Sequence, residues 1–305
     1  PISTPLYSSA ASDVYKRQLY APAGSTVVVE EPTYFVIEKI FRDRNLNVIG
    51  VPTDSQGMLV AELEELLLAG LDPSFVYIIP TFQNPTGFCL SDDRRSHLIC
   101  LANQFDFQIF ADEVYQLIHF DELPPKSLLS FDQGNRVISF GSFSKILAPG
   151  LRTGWIHAAP EIIKKFSDAA LTFSGGGFNH YASALVREVI DLGLLDTQVS
   201  ILREEYSIRS EAMHQSLQYY FGSTIEYTPP TGGYYFWLTF PEEFDSDRLF
   251  TLAEKAGVSY RPGNAFSESG RFSRQIRLAY TLFEVEELQE GISRLYEAYR
   301  NFNLE

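Results

Sequence analysis

Short apolar segments alternate with amphipathic segments along much of this chain, and this alternation limits the fold more than any other feature of the sequence. The apolar segments are rich in β-branched and aromatic side chains, which is typical of strands buried on both faces. They occupy residues 27–29, 75–79, 107–111, 137–140 and 154–158. Between them, residues 61–68 and 91–105 have helical spacing. Because helices that join successive strands act as crossovers, the pattern predicts an α/β fold with a mostly parallel sheet.

The pattern changes after about residue 200, where a second and smaller unit is predicted. A long helix over 199–220 leads to a hairpin-like segment at 232–238, and helices at 246–256 and 284–301 flank a strand at 276–280. This order is typical of an α+β domain. We therefore divide the chain into a large domain at 19–200 and a small C-terminal domain at 201–305. Residues 1–18 lack periodicity and are predicted to be non-native or disordered.

Composition excludes several classes of partner. The net charge of −15 argues against binding to nucleic acid or to an anionic membrane, which would require a basic surface. Cys89 and Cys100 fit neither a disulfide framework nor a zinc-site pattern, and we expect no metal. The sequence has no apolar run of the roughly 18 residues needed for a membrane span. With no targeting pattern visible, a cytoplasmic location is expected.

Three polar side chains follow separate predicted strands. Asn84 comes after the strand at 75–79, Asp112 ends the strand at 107–111, and Lys145 follows the strand at 137–140. Open α/β sheets bind ligands at the carboxyl ends of their strands, so we expect these groups to meet at one edge of the sheet.

Lys145 and its neighbours have the groups needed to hold pyridoxal phosphate. The lysine amine would bind the cofactor aldehyde, and the Asp112 carboxylate would face the pyridine nitrogen. Ser142, Ser144 and Arg152 would bind the phosphate. Each group also has a plainer interpretation, because most lysines are solvated, an Asp at a strand end often caps a helix, and Ser-x-Ser-Lys also occurs in serine–lysine hydrolases.

Four further residues are assigned to the same site. Asn84 and Tyr115 would reach the oxygen on the cofactor ring, and Tyr34 could stack on that ring, although a single aromatic side chain more often packs in a core. Arg277 lies in an otherwise apolar strand and needs an anion. That anion is either the α-carboxylate of an amino acid, which Asn84 would help to bind, or an internal acidic side chain.

Taken together and in this order, these segments resemble the class I/II aminotransferases, the fold-type-I enzymes that depend on pyridoxal phosphate. The matching segments are Glu31-Pro32-Thr33-Tyr34, Asn84-Pro85-Thr86-Gly87, Asp112-Glu113-Val114-Tyr115, Ser142 to Arg152, Pro230-Thr231-Gly232-Gly233, Arg261-Pro262-Gly263 and Ile276-Arg277-Leu278. The run from Ser142 to Trp155 is most similar to the 2-aminoadipate and kynurenine aminotransferase branch.

The resemblance implies transfer of an amino group from an L-amino acid, aromatic or 2-aminoadipate-like, to a 2-oxo acid such as 2-oxoglutarate. Lys145 would move the proton at the substrate α-carbon, and Arg277 would hold the substrate carboxylate. A homodimer is also implied. Residues 1–18 do not match the glycine-containing turn that the family carries before the first matching segment, so we expect an N-terminally truncated chain.

Three other functions stay open at this point. The cofactor contacts barely distinguish an aminotransferase from a carbon–sulfur or β-eliminating lyase of the same fold. The chain could also be an effector-sensing domain of a transcriptional regulator, or an inactive fragment. Several aromatic residues suggest room for aromatic or long-chain substrates, namely Tyr34, Phe88, Phe178, Tyr234 and Tyr235.

Overall fold

The computed structural model describes residues 21–168 and 179–302, so residues 1–18 lie outside the described part of the chain. Within that part, seven strands form one sheet in the order β3-β2-β1-β4-β5-β6-β7. The strands are β1 (Thr26–Glu31), β2 (Asn47–Asp54), β3 (Gly57–Met58), β4 (Pro73–Ile78), β5 (Gln108–Asp112), β6 (Val137–Ser142) and β7 (Gly154–His157). β2, β1, β4, β5 and β6 run parallel, which confirms the predicted α/β fold.

The last strand of the sheet differs from the prediction. The segment 154–158 was expected to be a parallel strand, but β7 runs antiparallel to β6. The reason is the short connection over 143–153, which contains only one turn of 3₁₀-helix. A parallel pair needs a crossover of about a dozen residues or more, usually helical, whereas this segment simply turns the chain back.

The central strands are buried on both faces, as their apolar composition predicts. Successive side chains of β4 and β5 alternate between two core clusters. Phe75, Tyr77 and Phe110 belong to one cluster, and Val76, Ile78 and Ile109 belong to the other. Both faces are covered, which leaves the carboxyl ends of the strands as the place where polar groups meet.

Helices pack around this sheet. The predicted helices at 61–68 and 91–105 are confirmed as Val60–Leu68 and Asp92–Gln104. Sequence reasoning did not predict the helices Phe35–Arg42, Pro160–Ser167 and His180–Asp191. None of the helices in the described part of the chain has the length and apolar character needed to cross a membrane.

The C-terminal part forms a smaller α+β unit, as predicted. A three-stranded antiparallel sheet has the order β8-β10-β9, with β8 at Tyr235–Thr239, β9 at Arg261–Pro262 and β10 at Gln275–Ala279. The helices of this unit are Leu194–Phe221, Ser246–Lys255 and Val285–Phe302. The hairpin expected at 232–238 is wrong, because β8 pairs with β10, which comes later in the chain. The long helix also runs across residue 200, so the exact domain boundary stays a prediction.

Candidate active site

A cavity of about 330 Å³ lies at the carboxyl ends of the central strands, and it brings together every site residue predicted from the sequence. Those residues are Tyr34, Asn84, Asp112, Tyr115, Ser142, Ser144, Lys145, Arg152 and Arg277. The rest of the lining is mostly apolar and consists of Phe35, Ile79, Val114, Pro149 and Tyr235. Binding sites for small molecules commonly combine apolar walls with a few converging polar groups in this way.

Asp112 is the last residue of β5, and its buried side chain lines the cavity. The hydroxyl of Tyr77, on the neighbouring strand β4, donates a hydrogen bond of 2.7 Å to Asp112 Oδ2. A buried carboxylate is costly unless it is paired, and a cationic ring nitrogen of a ligand would pair with it. Tyr77 was not singled out from the sequence, because nothing in a buried strand marks which tyrosine reaches the site.

Lys145 lies in the turn that follows β6. Its Nζ lies 5.1 Å from the ring centre of Tyr234 and 5.8 Å from that of Tyr115. The Tyr234 hydroxyl donates a 2.6 Å hydrogen bond to the Lys145 carbonyl oxygen. Burial, with a smaller contribution from Tyr206, raises the pKa of Tyr234, so its hydroxyl keeps the proton that it donates. The small C-terminal unit therefore fixes the backbone of the lysine.

The groups predicted to bind phosphate lie beside Lys145. The backbone N–H of Ser144 donates to Ser142 Oγ at 3.2 Å. Ser144 Oγ is buried and has no hydrogen-bond partner among the described residues. Arg152 has a left-handed backbone conformation with φ of 52°, and its exposed side chain lines the cavity. A buried hydroxyl without a partner is costly, and a phosphate oxygen would satisfy it.

Arg277 projects from β10 towards the loop that follows β4. Its Nη1 donates a 2.7 Å hydrogen bond to Asn84 Oδ1, and its guanidinium carbon lies 4.0 Å from the ring centre of Tyr235. Burial lowers the pKa of Arg277, and the nearby Tyr235 and Tyr115 offset part of this shift. Arg277 Nε is buried and has no hydrogen-bond partner in the described part of the chain. The guanidinium therefore retains a donor for an incoming carboxylate.

Tyr115 is buried between Asp112 and the small C-terminal unit. Its hydroxyl lies 3.4 Å from the hydroxyl of Tyr235. Burial raises the pKa of Tyr115 well above its usual value, and Tyr235 adds to this shift. At neutral pH the Tyr115 hydroxyl is therefore protonated and can donate a hydrogen bond into the cavity.

The Asn84 loop is held by a buried network that sequence reasoning missed. Gln83 Nε2 donates to the Pro32 carbonyl at 2.7 Å, and Gln83 Oε1 accepts hydrogen bonds from the backbone N–H and hydroxyl of Thr86. Glu30 Oε2 accepts from the Ile79 N–H at 2.8 Å and from Gln83 Nε2 at 3.5 Å. Burial raises the pKa of Glu30 to about 8. The one signal available in the sequence was an acidic residue at the end of an apolar strand.

Only some of the aromatic residues that suggested an aromatic substrate lie at the cavity in the described part of the chain. Tyr34 and Tyr235 line the cavity, and Tyr234 contacts Lys145. Phe88 is not among the lining residues, and Phe178 lies outside the residues that the structure describes.

A larger cavity of about 640 Å³ lies elsewhere, lined mostly by apolar residues such as Phe143, Ile146 and Trp155. The charged side chains of its lining, Arg187 and Asp191, are paired with each other at 3.3 Å. Size alone would favour this cavity, but it lacks converging polar groups. We therefore assign the site to the smaller cavity.

The groups in the smaller cavity fit pyridoxal phosphate. An amine, a buried carboxylate and an unsatisfied hydroxyl beside an arginine are the partners that its aldehyde, pyridine nitrogen and phosphate require. A volume of about 330 Å³ also falls within the range of roughly 300–1,000 Å³ that is usual for ligand pockets.

Known proteins have the same sequence pattern and fold. The sequence model of the family "Aminotransferase class I and II" matches residues 8–295, a match that begins within the segment 1–18. Aromatic-amino-acid aminotransferase 1 of Thermococcus litoralis is 35% identical over 303 residues, which cover 98% of this chain and 72% of that protein. The 2-aminoadipate transaminase of Thermus thermophilus is 30% identical, over 93% of this chain and 71% of its own length.

Solved structures agree with the sequence comparison. Kynurenine aminotransferase of Pyrococcus horikoshii, whose crystal structure is described in complex with PMP, matches with a TM-score of 0.92 and 33% identity, over 98% of this chain and 75% of that one. More distant relatives include a protein named as an uncharacterised HTH-type transcriptional regulator, YdfD of Bacillus subtilis, at 28% identity over 89% of this chain and 56% of that protein. On the family match and the identity to these transaminases, the chain belongs to the class I and II aminotransferases, enzymes that use pyridoxal phosphate.

Proposed function

We propose that this chain transfers the amino group of an aromatic L-amino acid, or of a 2-aminoadipate-like one, to a 2-oxo acid such as 2-oxoglutarate. The observation that carries the proposal is the pair formed by Arg277 and Asn84, which lies in the same cavity as Lys145. A guanidinium with an unused buried donor is suited to an α-carboxylate, and binding there would bring the α-carbon of the substrate towards the lysine amine.

Each residue has a role that follows from its position. When bound, pyridoxal phosphate stabilises the negative charge that develops at the substrate α-carbon. Asp112, oriented by the Tyr77 hydroxyl, would keep the pyridine nitrogen protonated. Lys145 Nζ would take the proton from the substrate α-carbon and deliver it to the cofactor carbon that carries the amino group. Ser142, Ser144 and Arg152 would bind the phosphate.

The walls of the cavity support an aromatic donor. Tyr34, Phe35 and Tyr235 line it, and flat rings gain from edge and stacking contacts with such side chains. The similarity to the aromatic-amino-acid and kynurenine aminotransferases is consistent with this choice. The similarity to the 2-aminoadipate transaminase supports the alternative donor. The homodimer and the cytoplasmic location stay predictions.

The first experiment is an absorbance titration of the purified chain with pyridoxal phosphate. The parent chain should develop the visible band of a lysine-bound cofactor, and Lys145→Ala should not. Lys164→Ala is the matched control, because Lys164 is exposed and paired with Asp168 at 2.6 Å, so its band should equal that of the parent. A band that persists in Lys145→Ala would assign the cofactor to another lysine.

Single amino acids are then added to the loaded chain, with and without 2-oxoglutarate. An aminotransferase should convert phenylalanine, tyrosine, kynurenine or 2-aminoadipate to the matching 2-oxo acid, with glutamate formed in equal amount. Release of ammonia and pyruvate without an acceptor would instead identify a β-eliminating lyase. Cofactor binding without turnover of any amino acid would favour an effector domain, as in the relatives named as regulators.

A further inference from the structure

Two arginines lie side by side on neighbouring strands at the edge of the candidate active site. Arg261 of β9 and Arg277 of β10 are direct partners in an antiparallel pair. Side chains of such partners project from the same face of a sheet, with Cβ atoms about 4.5–5.5 Å apart, and like charges in this arrangement repel each other. Burial lowers the pKa of Arg277, and the positive charge of Arg261 lowers it further. An anion between the two guanidinium groups would relieve this repulsion.

Both arginines lie against one aromatic wall. The guanidinium carbon of Arg277 is 5.0 Å from the ring centre of Phe266, and that of Arg261 is 5.1 Å from the ring centre of Phe35. The two rings contact each other edge to face at 5.7 Å. Phe35 and Arg277 also line the active-site cavity, so Arg261 lies at its exposed rim, one aromatic side chain away from the lining.

The guanidinium of Arg261 is not paired with a carboxylate in the described part of the chain. Two other arginines near Phe266 are paired, since Arg42 binds Glu268 at 2.8 Å and Arg271 binds Glu31 at 2.8 Å. The guanidinium of Arg261 packs instead against the ring of Phe35. In a chain of net charge −15, a pair of neighbouring cations without an acidic partner is a local exception that would attract a doubly negative ligand.

We propose that Arg261 binds the second carboxylate of a dicarboxylic substrate whose first carboxylate is bound by Arg277. This inference rests on the proposed function and deepens it, because it assigns a residue, Arg261, to the recognition of a dicarboxylic acceptor such as 2-oxoglutarate. An aromatic donor has no second carboxylate, so it would pack against Phe35 and leave Arg261 in solvent. Loss of Arg261 should therefore impair the half-reaction with the dicarboxylic acceptor and spare the half-reaction with the aromatic donor.

The test compares glutarate with valerate, which have equal chain length but two carboxylates and one. Binding of each to the cofactor-loaded protein is measured by calorimetry, without turnover. The parent protein should bind glutarate at least tenfold more tightly than valerate. Arg261→Gln should lose most of that preference while binding valerate equally well, and Arg261→Lys should retain part of it. Arg300→Gln, an exposed arginine of the last helix, is the matched control and should behave as the parent.

Kinetics give a second readout. With one aromatic donor, Arg261→Gln should raise the KM for 2-oxoglutarate about tenfold, with little change in kcat or in the KM for phenylpyruvate. Equal effects on both acceptors, or no glutarate preference in the parent, would overturn the role of Arg261. Failure of the parent to transaminate any acceptor would refute the proposed function instead, and the calorimetric comparison would still decide whether Arg261 recognises a second carboxylate.

Discussion

The buried carboxyl of Glu30 provides a quantitative test of how the site is held together. Glu30 is 1% exposed at the end of β1, and it accepts hydrogen bonds from the Ile79 N–H and, at longer range, from Gln83. Burial raises its pKa from 4.5 to about 8, and these hydrogen bonds and the charge of Arg95 offset only part of that effect. The folded protein therefore keeps this carboxyl protonated at a pH where the unfolded chain ionises it.

The consequence for stability has a definite sign. Below about pH 4.5 the carboxyl is protonated in both states and has no effect on the pH dependence of folding. As the pH rises from there towards about 8, unfolding releases a proton, so the free energy of unfolding falls by about 1.4 kcal/mol per pH unit. The loss reaches about 3 kcal/mol at neutral pH and about 5 kcal/mol above pH 8, where Glu30 ionises in the folded state as well.

Glu30→Gln removes this cost while keeping the shape of the side chain and an oxygen that can accept from the Ile79 N–H. Urea unfolding followed by circular dichroism at about pH 5 and about pH 8 should show that the parent loses about 3 kcal/mol more than the variant between the two conditions. Glu65→Gln, on the exposed side of the helix Val60–Leu68, is the control and should follow the parent. Parallel pH profiles of parent and Glu30→Gln would refute the buried, protonated carboxyl.

Three further substitutions test the packing and the site. Gly232→Ala should lower the free energy of unfolding by about 1–3 kcal/mol, because its Cβ would overlap the Ile118 carbonyl oxygen, whereas Gly150→Ala, with no atom within 4 Å, should be tolerated. Tyr280→Phe should cost about 1 kcal/mol in the same denaturation assay, since its buried hydroxyl lies 2.7 Å from the Gly233 carbonyl oxygen and 3.0 Å from that of Gly232 and donates a hydrogen bond there. Asp112→Asn should fold normally but weaken pyridoxal phosphate binding at least tenfold in an absorbance titration, and unchanged affinity would contradict its pairing with the ring nitrogen.

The sequence was sufficient to predict the central strands and the meeting of the candidate site residues in one cavity. Buried parallel strands leave a strong pattern, because apolar side chains are needed on both faces, and the motif residues follow those strands directly. β2 was missed because it lies near the edge of the sheet and only Val51 of its eight residues is buried, so the apolar pattern is absent. The helix Phe35–Arg42 was missed because its first residues read as an apolar continuation of the preceding motif.

Pairing between distant segments explains the remaining errors. Residues 232–238 look like one arm of a local hairpin, yet the partner of β8 is β10, and that pairing depends on packing of the small unit as a whole. The buried network of Glu30 and Gln83 also depends on contacts between segments that are distant in the sequence. Its partners are 49 and 53 residues apart in the sequence, too far for any local spacing rule to connect them.

The hydrogen bond between Arg277 and Asn84 joins groups that are 193 residues apart in the chain. During synthesis, Lys145, Asp112 and Asn84 emerge from the ribosome long before β10 does. A nascent chain that has folded its large sheet therefore has the lysine and the carboxylate but lacks the arginine that we propose binds the substrate carboxylate. The proposed site for the substrate carboxylate is therefore completed only after β10 has been synthesised, later than the groups proposed to hold the cofactor.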